Sequence, residues 1–213
     1  MDISHWLLKA EPLPHIVGGR DVGSFPFSRL VEEGTSVFNG VRNYSARNAL
    51  RDKLMPGHLV FYYHSSVKDP GIAGIAEVVR RGYPDPQAAD PSHPFYDTKH
   101  TDASPRWFSI DIRAVRPLQR FVPLSELRQY STGPLSSMTL FRQSRLSVQP
   151  VTDAEWEFIL GLASGEPVSL QSTSQIKRGS AAAVTVSAAA PAKVASKRAA
   201  TKPTMETSKR KRT

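Results

Sequence analysis

The chain has 213 residues, of which 39% are hydrophobic, a formal charge of +9 and no cysteine. Without cysteine there are no disulfides and no thiolate metal sites, so zinc-finger architectures are excluded and a hydrophobic core must hold the fold. No run approaches the roughly 18 apolar residues of a membrane span, and Met1-Asp2-Ile3-Ser4-His5 has no basic segment followed by an apolar stretch, so a soluble intracellular protein with no membrane partner is expected.

Ser4 to Ala10 is a short apolar run that meets Pro12, the pattern of a first strand ending in a turn. Phe25 to Glu33 reads as a short helix stopped at Gly34, and Asn39-Gly40 is a turn signal. Asn43 then caps a helix running to about Met55, ended by Pro56-Gly57. On it, Tyr44, Arg47, Asn48 and Arg51 recur at helical spacing and share one face, while Ala46, Ala49, Leu50 and Leu54 cover the other.

His58 to His64 and Ile72 to Arg80 read as buried strands, joined by a loop over Ser65 to Gly71. Residues 82–106 carry five prolines, which predicts an irregular excursion over the surface. From Trp107 the pattern alternates, with Phe108, Ile110, Ile112 and Ala114 on one side of a half-exposed strand. Val122 to Tyr130 suggests a short helix and Leu146 to Gln149 a last strand, before Thr152 and Glu155 form a capping box that opens the final helix. About five strands with short helices between them, and no regular alternation of the two, predict an α+β domain over residues 1–166 built on a mixed or closed sheet.

Three segments carry a family resemblance: Trp6 to Pro12 (WLLKAEP), Gly40 to Asn48 (GVRNYSARN) and Phe61 to Ser65 (FYYHS). Together they resemble the EVE domain, and the likeness continues in order through Pro70 to Gly74, Tyr83 to Asp85, Arg120 to Leu124 and Arg145 to Pro150, covering roughly residues 4–163. One departure is Phe38-Asn39, where the family often has an aromatic-acidic pair before Gly-Val-Arg-Asn-Tyr. The resemblance implies a PUA-like fold, a mixed β-barrel surrounded by short helices, whose superfamily includes readers of methylated adenine and modified cytosine that flip a base into an aromatic-lined pocket.

A flipped base needs faces to stack on and polar groups opposite its Watson–Crick edge. For stacking the sequence offers Trp6, Phe38, Tyr44, Tyr63 and Trp107; for hydrogen bonding, Lys9, Glu11, Asn39, Asn43, His64 and Ser65; Ala10, Gly40 and Val41 complete the expected pocket. Arg42, Tyr44, Arg47, Asn48 and Arg51 form the expected phosphate-contacting edge, because the planar guanidinium donates two parallel bonds and a helix N-terminus favours an anion. The competing reading for Trp6, Phe38, Phe61 and Tyr62 is the core, which aromatics dominate. Tyr63 and His64 point to opposite faces of a strand, so only one of them lines a pocket from the strand itself. His93, Asp97, His100 and Asp102 match no compact metal motif, and Ser65 lies in no nucleophile elbow, so neither metal, cofactor nor catalytic residue is expected.

The charge is unevenly placed. Residues 1–167 hold eighteen Lys/Arg and eighteen Asp/Glu, whereas residues 168–213 hold ten Lys/Arg and a single acid, Glu206. Residues 167–213 have no aromatic, and a disordered basic tail is expected there. Lys197-Arg198, ten residues, then Lys209-Arg210-Lys211-Arg212 have the spacing of a bipartite nuclear import signal for an importin; the competing reading is a flexible arm that binds nucleic acid by counterion release.

The expected function is a monomeric, nuclear binding module for a modified base, 5-hydroxymethylcytosine or 5-methylcytosine in DNA, as the resemblance implies. Two alternatives stand beside it: an RNA-binding protein that reads N6-methyladenine or no modification, and an enzyme acting on a modified base or nucleotide with His64 as acid/base and Glu11 as its partner.

Overall fold

Residues 3–165 are described by a computed structural model. In chain order they form β1 (His5–Ala10), β2 (Ile16–Val17), β3 (Arg20–Asp21), α1 (Phe27–Glu33), β4 (Thr35–Phe38), α2 (Tyr44–Asp52), β5 (Leu59–His64), β6 (Gly71–Pro84), α3 (Pro86–Ala89), β7 (Phe108–Pro123), α4 (Leu124–Gln129), α5 (Thr139–Arg142), β8 (Val148–Val151) and α6 (Asp153–Ser164). Six strands build one mixed sheet in the order β4-β7-β6-β5-β1-β8, and β2 pairs with β3 in a separate hairpin. Only β1 and β5 run parallel. The α+β class expected from the sequence holds, but the sheet is not a closed barrel: β4 and β8 stand at its two ends.

Burial on both faces explains why the central strands read as continuous apolar runs. Trp6, Leu8, Val60 and Tyr62 pack on one side with Phe27 and Leu30 of α1 and Ala46, Ala49 and Leu50 of α2. Leu7, Phe61 and Tyr63 pack on the other with Leu127 of α4, Leu140 of α5 and Trp156 and Ile159 of α6. Strand alternation thus sends neighbouring residues of β1 and β5 into two different cores. At Gly74, a Cβ would collide with the Phe27 ring, so the missing side chain is what lets α1 lie against β6.

The long β6–β7 ribbon exceeds both strands read from the sequence, and its pairing shifts register at four points. Such bulges bend and twist a ribbon of this length. The two-residue strands β2 and β3, the edge strand β4 and the four-residue helices α3 and α5 were not expected, being too short to leave a periodic signature.

Both side-chain helix caps read from the sequence are present. The Asn43 side chain accepts from Ala46 N at 3.0 Å and begins α2. Thr152 and Glu155 form the reciprocal capping box of α6. That helix ends at Ser164, with Gly165 (φ 73°) as its C-cap; the boundary expected at residue 166 and the basic segment 167–213, with Lys197, Arg198 and Lys209 to Arg212, lie outside the described residues.

Candidate nucleic-acid interface

The C-terminal end of β1 separates two clefts. The first, about 660 Å³ and here called the α2 cleft, lies between Lys9-Ala10-Glu11, the β2–β3 hairpin, the end of β4 and the loop 39–43 that leads into α2. The second, about 740 Å³ and here called the α4 cleft, lies on the opposite side, between Tyr63, the 65–70 loop, α4 and α5. Lys9, Glu11, Arg145 and Ser147 belong to both walls. Each volume is in the range of small-ligand sites, roughly 300–1,000 Å³.

Eight residues expected in the pocket meet in the α2 cleft: Lys9, Ala10, Glu11, Phe38, Asn39, Gly40, Val41 and Asn43. Tyr62 and Phe95 add aromatic surface to it. The loop 39–43 is held from below by Asp85, which has no exposed side-chain surface. Its carboxylate accepts from the Gly40 amide at 3.2 Å, the Gln87 amide at 2.9 Å and the Arg42 guanidinium at 2.7 Å. Gly40 has φ 72°, and a Cβ there would sit 3.1 Å from the Phe95 ring, so glycine is required both for the turn and for closeness to the aromatic wall.

The remaining pocket candidates lie elsewhere. Trp6 is 1% exposed, enclosed in the core with Leu8, and its indole N–H donates to His58 Nδ1 at 3.1 Å. Tyr63 and Ser65 line the α4 cleft instead, because Tyr63 projects from the face of β5 opposite Tyr62. His64 Nε2 accepts from the Phe27 amide at 3.0 Å, satisfying a first-turn N–H of α1. That bond commits Nε2 as an acceptor in the fold, and burial lowers the ring's proton affinity. Trp107 lines neither cleft; its N–H donates to Asp97 at 2.7 Å and its ring stacks on Tyr44 at 5.1 Å.

The residues of the expected phosphate edge differ in how far they are committed within the fold. Arg42 is not free: besides Asp85 it donates to the Phe95 carbonyl at 2.8 Å and lies over the Phe95 and Trp107 rings. Arg51 forms a two-point pair with the adjacent Asp52. Tyr44 is 49% exposed on the outer face of α2, with the Arg47 guanidinium 4.9 Å from its ring centroid. Arg47 also donates to the Arg106 carbonyl at 2.6 Å and to Asn48 at 2.8 Å. Tyr44, Arg47, Trp107 and Arg106 therefore make an interleaved aromatic and cationic surface with Asp97 beneath it, where Asp97 accepts from Arg106 at 3.1 Å.

Within the α2 cleft the polar groups are mostly committed. Lys9 Nζ donates to the Ser144 carbonyl at 2.7 Å, and burial lowers its pKa from the ordinary lysine value. Glu11 accepts from His15 at 2.7 Å and Ser66 at 2.9 Å, tying the β2–β3 hairpin to the cleft rim. Gln87 is different: it lines the cleft and its Oε1 is buried without a hydrogen-bond partner. Buried acceptors are seldom left unmet. Gln87, Phe95, Arg145 and Ser147 were missed as pocket residues; Arg145 and Ser147 lie in a segment that carries the family likeness, but Gln87 and Phe95 come from the proline-rich excursion, whose sequence gives no sign of where it folds back.

The two clefts, the capped α2 and the mixed sheet belong to a defined class: residues 4–162 match the EVE domain, and the chain is a member of that family. It is 41% identical to human thymocyte nuclear protein 1 over 171 residues, covering 77% of this chain and 76% of that protein. An uncharacterized protein of Schizosaccharomyces pombe is 40% identical over 73% of this chain and 66% of its own length. Among solved structures, human THYN1 protein in complex with 5-methylcytosine-containing DNA aligns with a TM-score of 0.73 and 41% identity, covering 76% of this chain and 99% of that one. A protein from Pseudomonas syringae aligns at 0.66 with 40% identity, over 75% and 99% of the two chains.

Proposed function

We propose that this protein is a DNA-binding reader of modified cytosine, 5-methylcytosine or 5-hydroxymethylcytosine, that takes the flipped base into the α2 cleft. The observation that carries the reading is the 41% identity to a chain crystallised with 5-methylcytosine DNA, across nearly all of that chain. The cleft chemistry supports it. Phe38, Tyr62 and Phe95 supply aromatic surface, and the unmet Gln87 acceptor suits the cytosine N4 amino group, the donor that distinguishes cytosine from thymine. The exposed Tyr44 and the half-buried Arg47 lie outside the cleft, where the strand backbone would pass.

The protein acts here as a binding module. His64 and Glu11, the pair an enzyme would need, are each committed to holding the fold. Nuclear location is part of the same proposal, on the two basic clusters Lys197-Arg198 and Lys209 to Arg212 and on the naming of the relatives as nuclear proteins. Deleting residues 197–213 and imaging the tagged chain tests it: loss of nuclear enrichment is expected, and unchanged enrichment removes the tail from the account.

Binding is tested with matched duplexes carrying cytosine, 5-methylcytosine or 5-hydroxymethylcytosine at one position. The full chain serves, because the basic tail adds the same non-specific affinity to each and cancels in their ratio. Burying one methyl group contributes about 0.8 kcal/mol, so a preference of about fourfold is expected from burial alone.

A further inference from the structure

The α4 cleft is not used by the proposed reading of the base, and its wall holds an excess of cationic side chains. Fourteen arginines fall among the described residues. Eight pair with a carboxylate, and three more donate to backbone carbonyls. Arg81, Arg128 and Arg145 have neither kind of partner, and two of those three line the α4 cleft. Lys9 stands between the clefts, 5.5 Å from the Tyr63 ring. The one carboxylate in the wall, Glu11, is already held by His15 and Ser66.

Tyr63 points the same way. The residue is 2% exposed and lines the cleft, but its hydroxyl has no hydrogen-bond partner among the described residues. The hydroxyl oxygen keeps solvent contact at the cleft, where it is a free donor. Burial also pushes its pKa up to about 12, so the group stays a neutral O–H donor, suited to a negatively charged oxygen. The cleft is far larger than a phosphate needs, and Leu124 and Phe141 give it an apolar side on which a sugar or a base would rest.

We infer that the α4 cleft holds a neighbouring nucleotide of the strand whose modified base enters the α2 cleft, with its phosphodiester on Tyr63, Arg128 and Arg145. The inference rests on the proposed reading of the α2 cleft. Lys9 and Arg145, shared by both walls, would then contact the strand where it crosses the end of β1. Arg145 would act on both sides, whereas Arg128 touches only the α4 cleft and therefore isolates it.

The test replaces each phosphate near the modified cytosine, one at a time, with a neutral methylphosphonate, and measures affinity for the full-length protein and for Arg128→Gln and Tyr63→Phe. One position within a few nucleotides of the modified base is expected to weaken wild-type binding by about tenfold, the scale of a lost charge-assisted bond. The same replacement should have little further effect in Arg128→Gln, which loses affinity for every strand while keeping the wild-type ratio of methylated to unmethylated binding. Tyr63→Phe, which leaves the packed ring in place, should lose part of the same affinity. If no replacement distinguishes wild type from Arg128→Gln, the inference is overturned, whether or not methylcytosine is preferred. If methylcytosine is not preferred but the methylphosphonate effect depends on Arg128, the base reading fails and the strand site stands. Thermal stabilisation by thymidine monophosphate that depends on Arg128, with no discriminating position in the strand, would assign the cleft to a free nucleotide and overturn the strand site.

Discussion

The Arg42 guanidinium lies 2.7 Å from a carboxylate oxygen of Asp85, 43 residues away in sequence and fully buried. Through that carboxylate the arginine, the Gly40 amide and the Gln87 amide share one anchor, so the loop 39–43 and α3 are fixed to each other as two walls of the α2 cleft. Arg42 is therefore a positioning residue for the cleft.

Removing either partner is expected to reduce stability and binding together. Asp85→Ala strips the buried anchor and should lower unfolding stability by about 3 kcal/mol, since breaking a buried pair leaves an uncompensated charge. Urea denaturation measures the loss. Arg42→Lys, which keeps the charge but not the planar fork, should recover only part of it.

Tyr44→Ala and Arg47→Gln act on a different quantity. Both residues lie on the outer face of α2, away from the cleft lining. Affinity is expected to fall to the same degree for methylated and unmethylated duplex, and Arg47→Gln should reduce the slope of log affinity against log salt by about one. A change in the methylated-to-unmethylated ratio would place these side chains at the base instead.

Acid should destabilise the fold through neutral histidines that accept hydrogen bonds, His58 and His64 among them. His58 Nδ1 accepts from Trp6 at 3.1 Å and from the Met55 amide at 3.2 Å, and His64 Nε2 accepts from the Phe27 amide. Burial holds both rings below the ordinary value of 6.5, and for His58 the charge of His5 adds to the effect. Well above that pH the rings are neutral in the folded and unfolded chains alike and contribute no pH dependence. As pH falls through 6.5 the unfolded chain takes up protons first, so stability decreases until the folded rings titrate as well. The urea midpoint should be lower at about pH 5.5 than at about pH 7.5, and His64→Gln, which keeps an acceptor for Phe27, should narrow the difference.

Thr152→Ala removes the N-cap of α6, whose Trp156 stacks on Phe61 at 3.8 Å. A loss of about 1 kcal/mol in unfolding free energy is expected, with no change in DNA preference. Calorimetric or urea unfolding beside the duplex assay checks both halves.

Helix α2 and the cap of α6 were legible because their signals are local: Asn43 before a periodic face, and Thr152 three residues before Glu155. The WLLKAEP and GVRNYSARN segments were likewise legible as neighbours through the family likeness, and both border the α2 cleft. Strand alternation was only half used: it separated Tyr63 from His64, but the burial of both sheet faces is what carried Trp6 into the core and Tyr63 to the second cleft. The roles of Gln87, Phe95 and Asp85 depend on how residues 82–106 fold back over the loop 39–43, a long-range arrangement that no spacing in the sequence encodes. Closure of the sheet was expected from the superfamily likeness and is not found, since β4 and β8 remain its ends.

The most direct test of the central claim is a competition assay of the full chain and Gln87→Leu against duplexes that differ only in cytosine, 5-methylcytosine or 5-hydroxymethylcytosine at one position. The account predicts a preference of about fourfold or more for a modified cytosine in the wild type, and in Gln87→Leu a loss of affinity for cytosine-type bases while salt-dependent binding to any duplex remains. Equal affinity for all three duplexes in the wild type, or an unaltered preference and affinity in Gln87→Leu, would contradict it.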